Sequence, residues 1–129
     1  MTETDAATPI NKVVDGYFAM WNETDPGRRR EVIEATWAPD ASYVDPLFAA
    51  DGPDALDAMV AAVHERFPGH RFRLAGAVDV HHDRARWGWE LAGPDGGPPV
   101  ATGVDFAVLT AARRLREVTG FLERPAGAA

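Results

Sequence analysis

The chain has 129 residues, 46% hydrophobic and 26% charged, with a formal net charge of −7 and no cysteine. That length suits one domain, read here as residues 1–129 with a core over about 8–123, able to bury roughly two-thirds of its unfolded surface. The acidic balance argues against a nucleic-acid partner, which needs a clustered positive field, and the missing thiols exclude disulfides and thiolate metal sites.

The acidic start, Met1 to Asp5, lacks the basic and apolar regions of a signal peptide. No apolar run approaches the ~20 residues of a membrane span, so a cytoplasmic location without a membrane partner is expected. Residues 1–7 and 124–129 read as frayed tails. Thr8-Pro9 then supplies an N-cap and a proline in the first helical turn. Ile10, Val13, Val14, Tyr17, Phe18 and Trp21 follow at helical spacing. Asp25-Pro26 repeats the cap chemistry and opens a short helix with Val32, Ile33 and Trp37 inward, stopped by Pro39. Its basic run, Arg28 to Arg30, reads as a solvated helix face.

Ala41 to Pro46 reads as a short strand ended by proline. Gly52-Pro53 opens a third helix carrying Leu56, Met59, Val60, Val63 and Phe67 inward, and Pro68-Gly69 ends it. The period then changes from 3.6 to 2. Phe72, Leu74, Val78 and Val80 alternate with Arg71, Arg73, Asp79 and His81. After a turn near His82-Asp83, Ala85, Trp87, Trp89 and Leu91 alternate with Arg86, Gly88 and Glu90. A loop at 94–99 leads to two further strands, Val100 to Thr110 and Leu115 to Leu122. Three helices and four consecutive strands indicate an α+β layer with a curved antiparallel sheet, the helices closing a cone-like hollow over it.

Asp105 is the most informative residue, because aspartate is disfavoured in the middle of a strand. Its same-face neighbours, Gly103 and Ala107, are small and leave room above the carboxyl. In such an apolar place an acid is expected to have a raised pKa and to stay protonated near neutrality. The plainer reading pairs it with Arg86 or exposes it on the sheet's outer face. Asp45, held extended by Pro46, is placed to serve as a general base, although Asp-Pro is also a common turn starter. Tyr17 lies within the apolar stripe, where a tyrosine is usually core.

His81 and His82 are adjacent, so on a strand they point to opposite faces and suit no metal ion. His64 flanks the third helix's apolar side and is expected, with Trp21, Phe48, Met59, Val63 and Phe67, to line the hollow and contact a small apolar molecule.

In order along the chain, these segments resemble a known family. Residues 13–22 are similar to the first helix of bacterial ketosteroid isomerases, with Tyr17 in register. Ala41 to Pro46 is similar to the segment bearing their catalytic base, which also precedes proline, and Gly103 to Phe106 resembles the strand carrying their second, protonated aspartate. The resemblance extends over about residues 10–122 to the nuclear transport factor 2-like superfamily and its SnoaL-like polyketide cyclases.

It implies a cofactor-free, metal-free isomerase or cyclase in which Asp45 removes a proton beside a carbonyl while Tyr17 and Asp105 donate to the enolate oxygen. A dehydratase using His64 with Asp45, and a binding module without turnover, are the alternatives. The family also implies a homodimer covering the sheet's outer face. Three features depart from its pattern. Ala111-Ala112-Arg113 replaces an Asp-Gly turn, Trp87 and Trp89 are bulky for a steroid pocket, and Gly103 stands where the related limonene epoxide hydrolases carry arginine. Epoxide hydrolysis is therefore set aside.

Overall fold

Helical and extended segments divide the chain as the change of period predicts, and the sheet acquires two members the pattern understated. In this computed structural model, which describes residues 9–124, the order is α1 (Ile10–Asn22), α2 (Pro26–Thr36), β1 (Trp37–Val44), β2 (Ala49–Asp51), α3 (Gly52–Arg66), β3 (Arg71–His81), β4 (Arg84–Ala92), β5 (Ala101–Leu109) and β6 (Leu115–Arg124). The Thr8 cap and the tail residues 1–7 and 125–129 lie outside the described residues. The six strands form one curved, unclosed sheet in the order β2-β1-β6-β5-β4-β3. Every neighbouring pair is antiparallel except β1 and β6, which run parallel. The architecture is α+β.

In α1, Val13, Val14, Tyr17, Met20 and Trp21 are buried as one stripe. Pro9 occupies the cap position itself, without a side-chain bond, and its carbonyl accepts from the Lys12 and Val13 amides at 3.0 and 3.1 Å. Asp25 does cap α2, its Oδ2 accepting from the Arg28 amide at 2.8 Å, a bond worth about 1 kcal/mol.

Two expectations for this region are corrected. The helix ends at Thr36, and Trp37 opens β1 because its extended backbone carries its ring into the core, 2% exposed. Pro39 therefore sits inside a strand, and the β1–β6 register slips between Trp37 and Ser42, where an N–H is missing from the ladder. Nor is the whole basic run solvated. Arg29 is buried, its Nε 2.6 Å from Asp57 Oδ1 on α3 and its Nη1 donating to the Glu23 carbonyl at 2.7 Å. Three helical segments are tied by this one guanidinium, and removing Asp57 would strand a buried charge.

On the sheet, β3 carries two extra residues against β4 between Ala75 and Asp79, where Gly76 adopts a φ of +79°. Such an irregularity bends a strand without changing which face its alternate residues occupy. Leu74 and Val80 keep the inward register but remain 41% and 40% exposed, because β3 is an edge strand. In the β5–β6 turn, the positive φ that glycine would ordinarily supply falls to Arg113. The outer face presents Phe106 and Phe121, 43% and 52% exposed, with ring centroids 5.9 Å apart. Among the described residues, no helix is long and apolar enough to cross a membrane.

Candidate functional site

A cavity of about 330 Å³ opens between the helices and the inner face of the sheet. Trp21, Phe48, Val63 and Phe67 line it, as do Tyr17, Asp45 and Asp105. Two residues expected there are elsewhere. Met59 is 4% exposed within the core, and the His64 ring nitrogen Nε2 lies 2.6 Å from the Trp21 carbonyl, so its polar atom is engaged by backbone. His81 and His82 are exposed at the β3–β4 turn.

Asp105 is 2% exposed in the middle of β5, flanked in register by Trp87 of β4 and Gly120 of β6. The Tyr17 hydroxyl, itself buried, donates to its Oδ2 at 2.7 Å, while Oδ1 has no hydrogen-bond partner. The alternative pairing with Arg86 does not occur, because that guanidinium points outward and binds Asp79 at 2.6 Å. Burial pushes the Asp105 carboxyl up to about 7; the Tyr17 hydrogen bond opposes this and the charge of Asp45 adds to it. The indole N–H groups of Trp87 and Trp89 oppose it more weakly. Burial likewise pushes the Tyr17 hydroxyl well above the usual phenol range, so it stays protonated.

The room beside Asp105 differs from the expectation. Gly103 leaves no opening, because the Trp89 indole lies directly over its Cα and fills the place of a side chain. At Gly120, one strand over, the place of a side chain lies 2.9 Å from Asp105 Oδ1, 3.3 Å from Asp45 Cβ and 3.4 Å from the Tyr43 hydroxyl oxygen.

Asp45 follows β1 on the same side of the sheet. Its Oδ1 accepts from the Leu47 and Phe48 amides, each at 2.7 Å, which fills both acceptor positions of that oxygen. Its Oδ2 accepts from the Tyr43 hydroxyl at 2.6 Å and retains one free acceptor position, and the residue lines the cavity. Tyr43 is the residue the sequence reading missed as a polar participant. The signal was there: it lies two residues before Asp45, the spacing that puts two side chains of an extended chain on one face. Its hydroxyl is raised well above the phenol range by burial, with the charges of Asp105 and Asp45 adding to the effect.

Comparisons with known proteins bear on the family and the fold. Residues 14–118 match the family model described as the SnoaL-like domain. The chain belongs to the SnoaL-like family. A provisionally named isomerase of that family from Agrobacterium tumefaciens is 41% identical, with a TM-score of 0.82 over 87% of this chain and 95% of that one. A protein from Jannaschia, named as a SnoaL-like polyketide cyclase on a provisional basis, is 22% identical, with a TM-score of 0.66 over 90% of this chain and 89% of that one. A protein of cystatin-like fold from Nostoc punctiforme is 13% identical, with a TM-score of 0.71 over 92% of this chain and 91% of that one; it speaks to fold alone. No curated protein matches.

Within this SnoaL-like chain, the cavity holds two carboxyl groups in unlike settings. One is buried and titrates near neutrality; the other is fixed by three donors at the rim. Such a division suits a proton donor and a proton acceptor acting on one molecule.

Proposed function

We propose that this SnoaL-like protein is a cofactor-free acid–base enzyme that enolises an apolar ketone or polyketide-like substrate, as an isomerase or a cyclase. The observation that carries the reading is the Tyr17–Asp105 hydrogen bond, 2.7 Å long, buried at the wall of an apolar cavity that Asp45 also lines. The free position on Asp45 Oδ2 takes a proton from the carbon beside the substrate carbonyl. The C–H electron pair becomes the enolate double bond, and the charge moves to oxygen. Protonated Asp105, held from behind by Tyr17, donates to that oxygen. Asp45 then returns the proton to another carbon, or the enolate carbon attacks a second carbonyl. A donor placed in this way contributes about 3–4 kcal/mol in a dry site.

Phenols mimic the enolate, and a series of increasing acidity tests the reading. Affinity is expected to rise with phenol acidity in the wild type and to lose that trend in Asp105→Leu. A flat series in the wild type would favour a binding module without turnover. The dehydratase alternative loses support, since His64 bonds to backbone outside the cavity lining. Homodimerisation through Phe106 and Phe121 belongs to the same proposal, since an exposed aromatic pair is costly to leave wet. Sedimentation is expected to give a dimer, with Phe106→Glu shifting it toward monomer; a monomeric wild type at micromolar concentration contradicts it.

A further inference from the structure

The cavity carries one charged group that the acid–base chemistry does not use. Arg66 is the single cation among the described residues that line it. It falls in the last turn of α3, three residues after Val63 and one before Phe67, which line the cavity too. The turn after α3 fixes which end of the cavity this is. A side chain at Gly69 would meet Pro94 Cβ at 3.2 Å, and one at Gly93 would lie 3.8 Å from His70 Nε2. Residues 93 and 94 follow β4, whose Leu91 pairs with Ala101 at the start of β5. Leu91 and Ala101 both line the cavity, and Asp105 lies four residues further along β5, about 13 Å at the rise of an extended strand. Between the two ends stand Trp89, opposite Gly103, and Phe72, with ring centroids 5.6 Å apart. Arg66 therefore belongs to the end of the cavity remote from the Tyr17–Asp105 pair, with an aromatic wall between them.

Arg66 is exposed, and among the described residues no carboxylate lies within 4.0 Å of its guanidinium. Arginines on the sheet are matched differently: Arg73, Arg86 and Arg116 each have a carboxylate partner. A cation in the last turn of a helix favours the helix dipole, but any position around that turn would serve. Position 66 is on the cavity side. In a chain with a formal net charge of −7, it reverses the local field at the edge of an apolar hollow. A guanidinium grips a carboxylate through two parallel N–H donors, while its apolar stem lies along greasy surface. One cation with no second beside it matches a single negative charge, so a carboxylate suits it better than a phosphate dianion.

We propose that Arg66 is a specificity-determining residue of this cavity, binding a carboxylate that the substrate carries at the end away from its reacting ketone. The inference rests on the enolising role proposed above and names its substrate class: a keto acid whose two polar ends are separated by an apolar body. The aromatic wall takes that body, and Arg66 fixes which way round the molecule enters. A carboxylate directed instead toward Asp45 would meet like charge, so the inverted orientation is disfavoured.

The test is calorimetric binding of 6-hydroxy-2-naphthoic acid and of its methyl ester to wild type and Arg66→Gln, with thermal melting alongside. The probe's hydroxyl stands in for the enolate oxygen, and its carboxylate lies at the opposite end of a flat apolar body. At pH 6 that carboxylate is ionised while Asp105 is mostly protonated. Wild type is expected to bind the acid ~10-fold more tightly than the ester, the scale of one charge-assisted pair, with the preference shrinking as salt is added. Arg66→Gln is expected to bring the ratio to about one with a cooperative melt. Should that variant not fold, Arg66→Met, which keeps an apolar stem, takes its place. A wild type that binds acid and ester alike overturns the proposal, and so does an acid preference that survives in the folded variant. A wild type that binds neither probe at any pH defeats the enolising reading and this inference with it. One that binds both probes equally defeats only the inference.

Discussion

The site contains two tyrosine–aspartate pairs of nearly equal length, 2.7 Å for Tyr17–Asp105 and 2.6 Å for Tyr43–Asp45, and their environments make them different chemical objects. Asp105 accepts a hydrogen bond from Tyr17, has the indole N–H groups of Trp87 and Trp89 nearby, and lies in the core, where a charge is poorly solvated, so burial pushes its carboxyl up to about 7. Asp45 is half-buried at the rim and accepts three hydrogen bonds, two from the backbone of its own turn. One pair has a vacant oxygen and a mobile proton; the other is anchored and has a single free lone pair. What separates them is solvation and the count of donors, since the residue types are identical.

The largest expected effect comes from removing the acceptor. Asp45→Asn keeps the turn's amide contacts through its carbonyl oxygen but cannot take a proton, and turnover is expected to fall ~10²–10⁴-fold with little change in the melt. An active variant would remove Asp45 from the proposed role. Next is the donor pair: Tyr17→Phe is expected to lower kcat ~10²-fold or more, with Asp105→Leu at least as severe, measured at pH 6, where Asp105 is mostly protonated.

The third prediction concerns pH. Because the folded pKa of Asp105 lies near 7 and the ordinary value is 3.8, the folded state holds a proton that the unfolded chain has lost between those limits. Its contribution is therefore most favourable at the acid end and declines as pH rises from about 4 to about 7, by up to about 4 kcal/mol. Asp105→Asn retains an oxygen to accept from Tyr17 and carries no charge. It is expected to flatten that slope and to melt higher than wild type at pH 8. The wild type's activity is expected to decline as pH rises through about 7, as the donor is lost, while Asp105→Asn, whose amide N–H can still donate, is expected to be less pH-dependent. A wild-type profile flat from pH 5 to 8 would break the contrast between the pairs. The smallest effect is Tyr43→Phe on turnover, expected at ~10-fold or less, because Asp45 keeps its two backbone donors.

Much of this was legible before any coordinates. The change from 3.6 to 2 periodicity separates helices from strands, Asp25 caps α2, and a mid-strand aspartate between Gly103 and Ala107 marks an inward-facing carboxyl. Misreadings arose where a residue's fate depends on a distant partner. Trp37 continues a helical stripe in sequence, yet its ring is buried from a strand. Arg29 belongs to a basic run, yet Asp57, 28 residues away, draws it into the core. Met59 and His64 lie on or beside the inward side of α3, but that side is wider than the cavity it borders.

By itself the sequence determined the periodic elements, their caps and which faces are apolar, because these follow from local geometry repeated every few residues. Tertiary structure alone decided that β1 runs parallel beside β6, bringing Asp45, Gly120 and Asp105 into neighbouring positions across the sheet. It also decided that the Trp89 indole covers Gly103 while Asp105, Asp45 and Tyr43 close around Gly120. Such outcomes depend on contacts between strands far apart in the chain, and no local pattern encodes which side chains will surround a given small residue.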